Sequence, residues 1–152
     1  LVAGDTLQLT HPFEIGAIAT MAGSILSVDI PAMGGQGIGT TVHVPDGARP
    51  VASLLMQGLQ DPKMAFYGGF NEAQSRSDSS FQTKIDMFRG LNEAFGAGQA
   101  QPQQWVLPLG GQPAQVRQFD GLEMVVSVAA QNLDHKWPNW YAPLVFDFFD
   151  AQ

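Results

Sequence analysis

The chain has 152 residues, a net charge of −7 from 14 acidic residues against 7 lysines and arginines, and no cysteine. A hydrophobic fraction of 45% with 14% charged residues excludes a solvated disordered chain and supports one single globular domain over 1–152, with a core that requires neither metal nor disulfide. Missing thiols exclude disulfides and thiolate chemistry, the acidic balance with scattered cations disfavours nucleic acid and anionic membranes, and no apolar run approaches the ~20 residues of a membrane span.

Leu1 is not an initiating residue, so a removed leader is expected upstream. Together with the Gly, Gln, Asn and Ser content and few lysines, this points to a periplasmic or extracellular protein.

In chain order, Leu7 and Leu9 alternate with polar residues over 6–10, and Leu26, Val28 and Ile30 alternate with Ser27 and Asp29; both patterns predict strands. Pro31 ends the second ladder because it has no amide hydrogen. The stretch GGQGIGTT at 34–41 raises the possibility of a phosphate cradle. A P-loop, however, needs Lys-Ser/Thr after its last glycine, and a dinucleotide fingerprint needs G-x-G-x-x-G opening a helix. Gly39 is followed by two threonines and the strand-like TTVHV, so the segment is expected to be a connection between strands, with no cofactor bound. Val42 and Val44 predict a further short strand.

Over 48–60 the spacing of Val51, Leu54, Leu55 and Leu59 predicts a helix, begun at Pro50 and ended by Asp61-Pro62. KMAFYGGF at 63–70 is expected to be a strand and the polar 71–80 a mobile loop. The clearest helix is FQTKIDMFRGLNEAF at 81–95, where Phe81, Ile85, Phe88, Leu91 and Phe95 form one stripe. Ser79 or Ser80 caps it, Gly96 and Gly98 close it, and Gly90 marks a close approach of another backbone. After a spacer at 98–104, AQVRQF and LEMVVSVAAQ flank Asp120-Gly121, a hairpin signal. A turn-rich DHKWPNWYAP follows, and LVFDFF at 144–149 is expected to be the closing strand. The whole predicts an α+β fold, a mostly antiparallel sheet with two helices packed on one face.

Local chemistry is sparse. Pro45-Asp46 with Asp61-Pro62-Lys63 mimics a metal-dependent nuclease pattern, but Pro62 would break the strand it requires, so both pairs are expected to punctuate helix boundaries. His11, His43 and His135 form none of HxH, HxxxH or HExxH, so no metal is expected. His135 lies beside Asp134 and would serve as a general base if a serine came from elsewhere; there is no GxSxG elbow, since Gly23-Ser24 runs into Ile25 and Leu26. Asp147 and Asp150, on a strand, would face opposite ways and make no acid–base pair.

WPNWY at 137–141 is the most distinctive feature. Tryptophan and tyrosine around a proline turn make a rigid amphipathic surface of the kind enriched in hot spots, or else a plug for the end of the core. The sequence therefore predicts a non-enzymatic protein-binding module of the immunity, adaptor or chaperone type. Its partner is a protein, a basic one suiting the net negative charge, met through Asp134, His135, Trp137, Asn139, Trp140 and Tyr141. The alternatives are a structural subunit of a virion or surface assembly and, behind it, a hydrolase using His135 with Asp134.

Overall fold

The structure is a computed structural model that describes residues 16–21, 49–71, 76–96 and 101–152. The strands expected over 6–10, 24–30 and 42–44, the glycine stretch at 34–41, Ser24, His11, His43, Pro45-Asp46 and Gly98 lie outside the described residues. What is described is α+β: a mixed five-stranded sheet, a two-stranded ribbon and two helices.

The sheet has the order β1 (Ala17–Met21), β2 (Ala52–Gly58), β7 (Val125–Ala130), β6 (Gln112–Phe119), β5 (Gln103–Leu109). β1, β2 and β7 run parallel, and β7, β6 and β5 antiparallel. Half of the sheet is thus parallel, which corrects the mostly antiparallel expectation. A small ribbon pairs β3 (Gly69–Asn71) with β4 (Arg76–Asp78), antiparallel, where a mobile loop was expected.

The segment expected to be a helix at 48–60 is β2, all seven of whose residues are buried. It is covered on both faces. Val51 and Leu55 face a cluster with Phe81, Ile85, Phe88 and Leu91, whereas Ala52, Leu54 and Met56 face one with Ala114, Val116, Val128, Tyr141 and Phe148. A strand buried on both sides has no need of polar alternation, so its continuous apolar run imitates a helical stripe.

Helix α1 (Phe81–Ala94) forms as its stripe requires. Ser80 is the cap, its hydroxyl accepting from the Thr83 amide at 3.0 Å, and Gly96 follows the helix at φ +95°. Phe95 departs from the expected stripe: it ends the helix and is exposed. Helix α2 (Tyr141–Asp150) replaces the predicted closing strand. Tyr141 and Phe148, one heptad apart, are its buried residues, with Leu144 and Val145 half-buried between them, and Pro143 sits in the first turn, where its missing amide is harmless. Because α1 belongs to the first cluster and α2 to the second, the helices cover opposite faces of the sheet, correcting the one-face arrangement.

The five residues 120–124 join β6 to β7, so the hairpin expected around Asp120-Gly121 is present as a longer connection. A tighter hairpin lies at Gly110-Gly111, between β5 and β6. Leu109 pairs with Gln112, and both glycines have positive φ, +59° and +78°, the arrangement of a two-residue turn that follows the strand twist. The expected strand at 63–70 is mostly turn, only Gly69 onward being extended.

Two glycines make opposite demands. A Cβ on Gly58 would lie 2.0 Å from the Leu133 carbonyl oxygen, whereas one on Gly90 would meet nothing within 4 Å among the described residues, so no other described backbone approaches Gly90. Gly58→Ala is expected to lower stability by about 1–3 kcal/mol through overpacking. Gly90→Ala should raise it by up to about 1 kcal/mol by improving helix propensity. Urea midpoints with unchanged m-values would establish both signs.

Candidate functional site

The parallel pairing of β2 with β7 brings the carboxyl ends of these strands together, Gly58 opposite Ala130. Each chain segment then turns across the end of the sheet. β2 passes into Leu59, whose amide donates to Ala130 O at 3.0 Å, and reaches Asp61. β7 passes through Asn132, held in the left-handed region at φ 54°, and crosses Gly58 at Leu133 before reaching His135. Gly58 is what allows that close crossing. In open sheets with parallel strands, ligand sites gather at this edge.

Asp61 is buried, its side chain fully, and both carboxylate oxygens are engaged. Oδ1 accepts from the amides of Lys63 at 2.8 Å and Met64 at 2.9 Å, closing the turn. Oδ2 faces His135 Nδ1 at 2.9 Å. A carboxylate only accepts, so Nδ1 carries the proton, and in the neutral ring Nε2 is then the acceptor. The histidine side chain is 35% exposed, enough for a reactant to reach it. The expected partner, Asp134, is not used: it pairs with Lys136 at 2.9 Å in solvent. Asp61, assigned from sequence to helix punctuation, is instead the buried partner of the histidine.

Beneath this pair lies a buried polar chain. Gln57, on β2, donates through Nε2 to the Met64 carbonyl at 2.7 Å and accepts through Oε1 from Lys84 Nζ on α1. Lys84 is 2% exposed and sits 5.7 Å over the Phe81 ring. Burial lowers its pKa to about 8, against the opposing attraction of Asp78 and Asp61. Asp78 is buried and takes a long contact of 3.5 Å from Asn71, whose amide also donates to Lys63 O at 2.7 Å.

The aromatic turn divides. Tyr141 is fully buried and its hydroxyl has no partner among the described residues; desolvation raises its pKa. Trp140 is half-buried against the Gly110 turn, where an added Cβ would lie 2.4 Å from its indole. Trp137 is 59% exposed, edge-on to Tyr141 with ring centroids 4.3 Å apart, and Asn139 is exposed. Tyr141 therefore plugs the core and Trp137 remains on the surface, two residues from His135. Asp147 and Asp150 lie on a helix, not a strand, and both are exposed.

Among the described residues, no three of His, Asp and Glu converge to hold a metal ion, and no helix is long and apolar enough to cross a membrane. Compared with protein-family models, curated proteins and solved structures, the chain matches none.

Lys84 gives stability a distinctive pH dependence. Between about pH 8 and its ordinary 10.5, the unfolded chain holds a proton there that the folded chain has lost, so stability rises with pH. The rise attributable to Lys84 totals about 3 kcal/mol. Tyr141 has the opposite sign, since its raised pKa makes stability fall as pH climbs past the ordinary tyrosine value, about 10. Urea unfolding of wild type and Lys84→Met should therefore diverge from pH 8 to 10, with only the wild type gaining.

Proposed function

We infer that His135 and Asp61 are the general base and orienting carboxylate of a hydrolytic centre acting on acyl compounds. The single observation carrying this reading is the 2.9 Å contact between His135 Nδ1 and a fully buried carboxylate oxygen, with the ring still open to solvent. A histidine held this way is fixed in one tautomer and one orientation, and the carboxylate stabilises the imidazolium that forms in turn. Nε2 takes the proton from a hydroxyl or a water as its oxygen attacks the substrate carbonyl carbon. The same proton then passes to the departing oxygen as the acyl bond breaks, so charge balances and the base is restored; where the attacking hydroxyl is the protein's own, water repeats the two steps on the resulting ester and frees the acid. Trp137 borders the histidine in sequence and offers an apolar surface on which the acyl or leaving group would rest.

The test is hydrolysis of p-nitrophenyl acetate and butyrate by wild type, His135→Ala and Asp61→Asn. Both substitutions should lower kcat by on the order of 10³–10⁴-fold, the usual scale for such groups, with circular dichroism unchanged. Labelling by a fluorophosphonate reports a serine nucleophile; hydrolysis without labelling reports an activated water. Hydrolysis equally fast in all three proteins would overturn the assignment.

A second reading is favoured by one observation, the 59% exposure of Trp137 three residues after acidic Asp134: a surface that recognises a protein partner of basic charge, as an adaptor or immunity module does. On that reading Trp137→Ala lowers partner affinity by at least 2 kcal/mol, the hot-spot scale, whereas His135→Ala leaves ester hydrolysis at the uncatalysed rate of the wild type. Calorimetric titration with the captured partner decides it.

A further inference from the structure

The buried lysine has no part in the acid–base step, and its placement asks for one. It is faced by Gln57 from β2, by Asp61 from the turn after β2, by Asp78 from β4 and by the Phe81 ring of its own helix. From it an unbroken series of donors and acceptors leads outward. Lys84 Nζ donates to Gln57 Oε1, Gln57 Nε2 to Met64 O, the Met64 amide to Asp61 Oδ1, and His135 Nδ1 to Asp61 Oδ2. Every member has one role: the ammonium can only donate and the backbone carbonyl only accept, so the Gln57 amide is fixed in a single orientation. Buried networks of this kind are rigid when fully satisfied.

We propose that Lys84 is a positioning residue for the hydrolytic centre, setting the Asp61 carboxylate against His135 through Gln57 and the 61–64 turn and supplying the positive charge beneath it. Helix α1, which covers one face of the sheet, is thereby tied to the geometry of a site at the sheet's end. This role rests on the reading of Asp61 and His135 given above. It accounts for a cation placed in the interior, where packing alone would favour an apolar residue of the same length.

Lys84→Met keeps the length of the side chain, and the double variant Gln57→Met/Lys84→Met removes the amide left without a donor. Both should retain cooperative unfolding. The proton on His135 Nδ1 gives a downfield resonance while it is bonded to the carboxylate, a signature that stability alone does not move. In both variants that resonance should broaden or vanish. Turnover of p-nitrophenyl acetate should fall on the order of 10–10²-fold with KM unchanged, since misplacement by ~1 Å costs about 10²-fold. Asp61→Asn serves as the control. If it removes the resonance while both lysine variants keep resonance and rate, the role of Lys84 is refuted and the Asp61–His135 pair stands. If the wild type has no such resonance and Asp61→Asn changes nothing, the pair itself fails, and Lys84 with it.

Discussion

A carboxylate sealed inside the protein at the end of β2 is the constraint around which the described structure is arranged. Asp61 has no water to hydrate it, and an ionised group in that position is tolerable only when surrounded by donors. The chain provides three, the amides of Lys63 and Met64 and the ring of His135. Two of them come from a turn made by Asp61 itself, a common device of aspartate side chains. The third has to come from 74 residues further along the chain. It is delivered by the parallel pairing of β2 with β7, which places two successive loops on the same edge.

This explains why a glycine ends β2. The loop that carries His135 crosses the strand at Leu133 with no room for a side chain beneath, so the glycine sets how closely the histidine descends toward the carboxylate. On the other side of the sheet's end, the turn at 61–64 is held by Gln57, which with Ser53 is one of two buried polar residues in β2. Gln57 lies in the middle of a sequence that packing would fill with a hydrophobe. Its two amide atoms join the turn to helix α1 instead.

The sequence made helix α1 readable because its apolar residues recur with a period near 3.6 and a serine stands at its start. The β6–β7 hairpin was readable for the same reason, alternation flanking a turn. Other elements were not, β1 and the β3–β4 ribbon among them. β2 is covered on both faces, so its pattern has no polar half and Leu54-Leu55 falls equally well on a helix. Helix α2 is short and so rich in phenylalanine that LVFDFF has strand composition, while the residues that decide the matter, Tyr141 and Phe148, are seven apart. β5 carries Gln103, Gln104 and an exposed Trp105 and Val106, the composition of a spacer. The site failed differently. His135 was visible, but its neighbour in sequence, Asp134, points to solvent, and its true partner lies across a strand pairing that no local spacing encodes. The one available signal was Asp61-Pro62 directly after an apolar run, which marks a strand's carboxyl end as readily as a helix's.

Parallel strands also decide which end of the sheet gathers buried polar side chains. The antiparallel half of the sheet, β6 and β5, ends in a glycine turn that supports Trp140 and leaves Trp137 free. The parallel half ends in polar side chains drawn inward to Asp61. Trp137 is joined to the core by its edge-on contact with Tyr141 and stands two residues along the chain from the histidine. The buried hydrogen-bonded series from Lys84 through Gln57 and the 61–64 turn to Asp61 ties the position of His135 to helix α1.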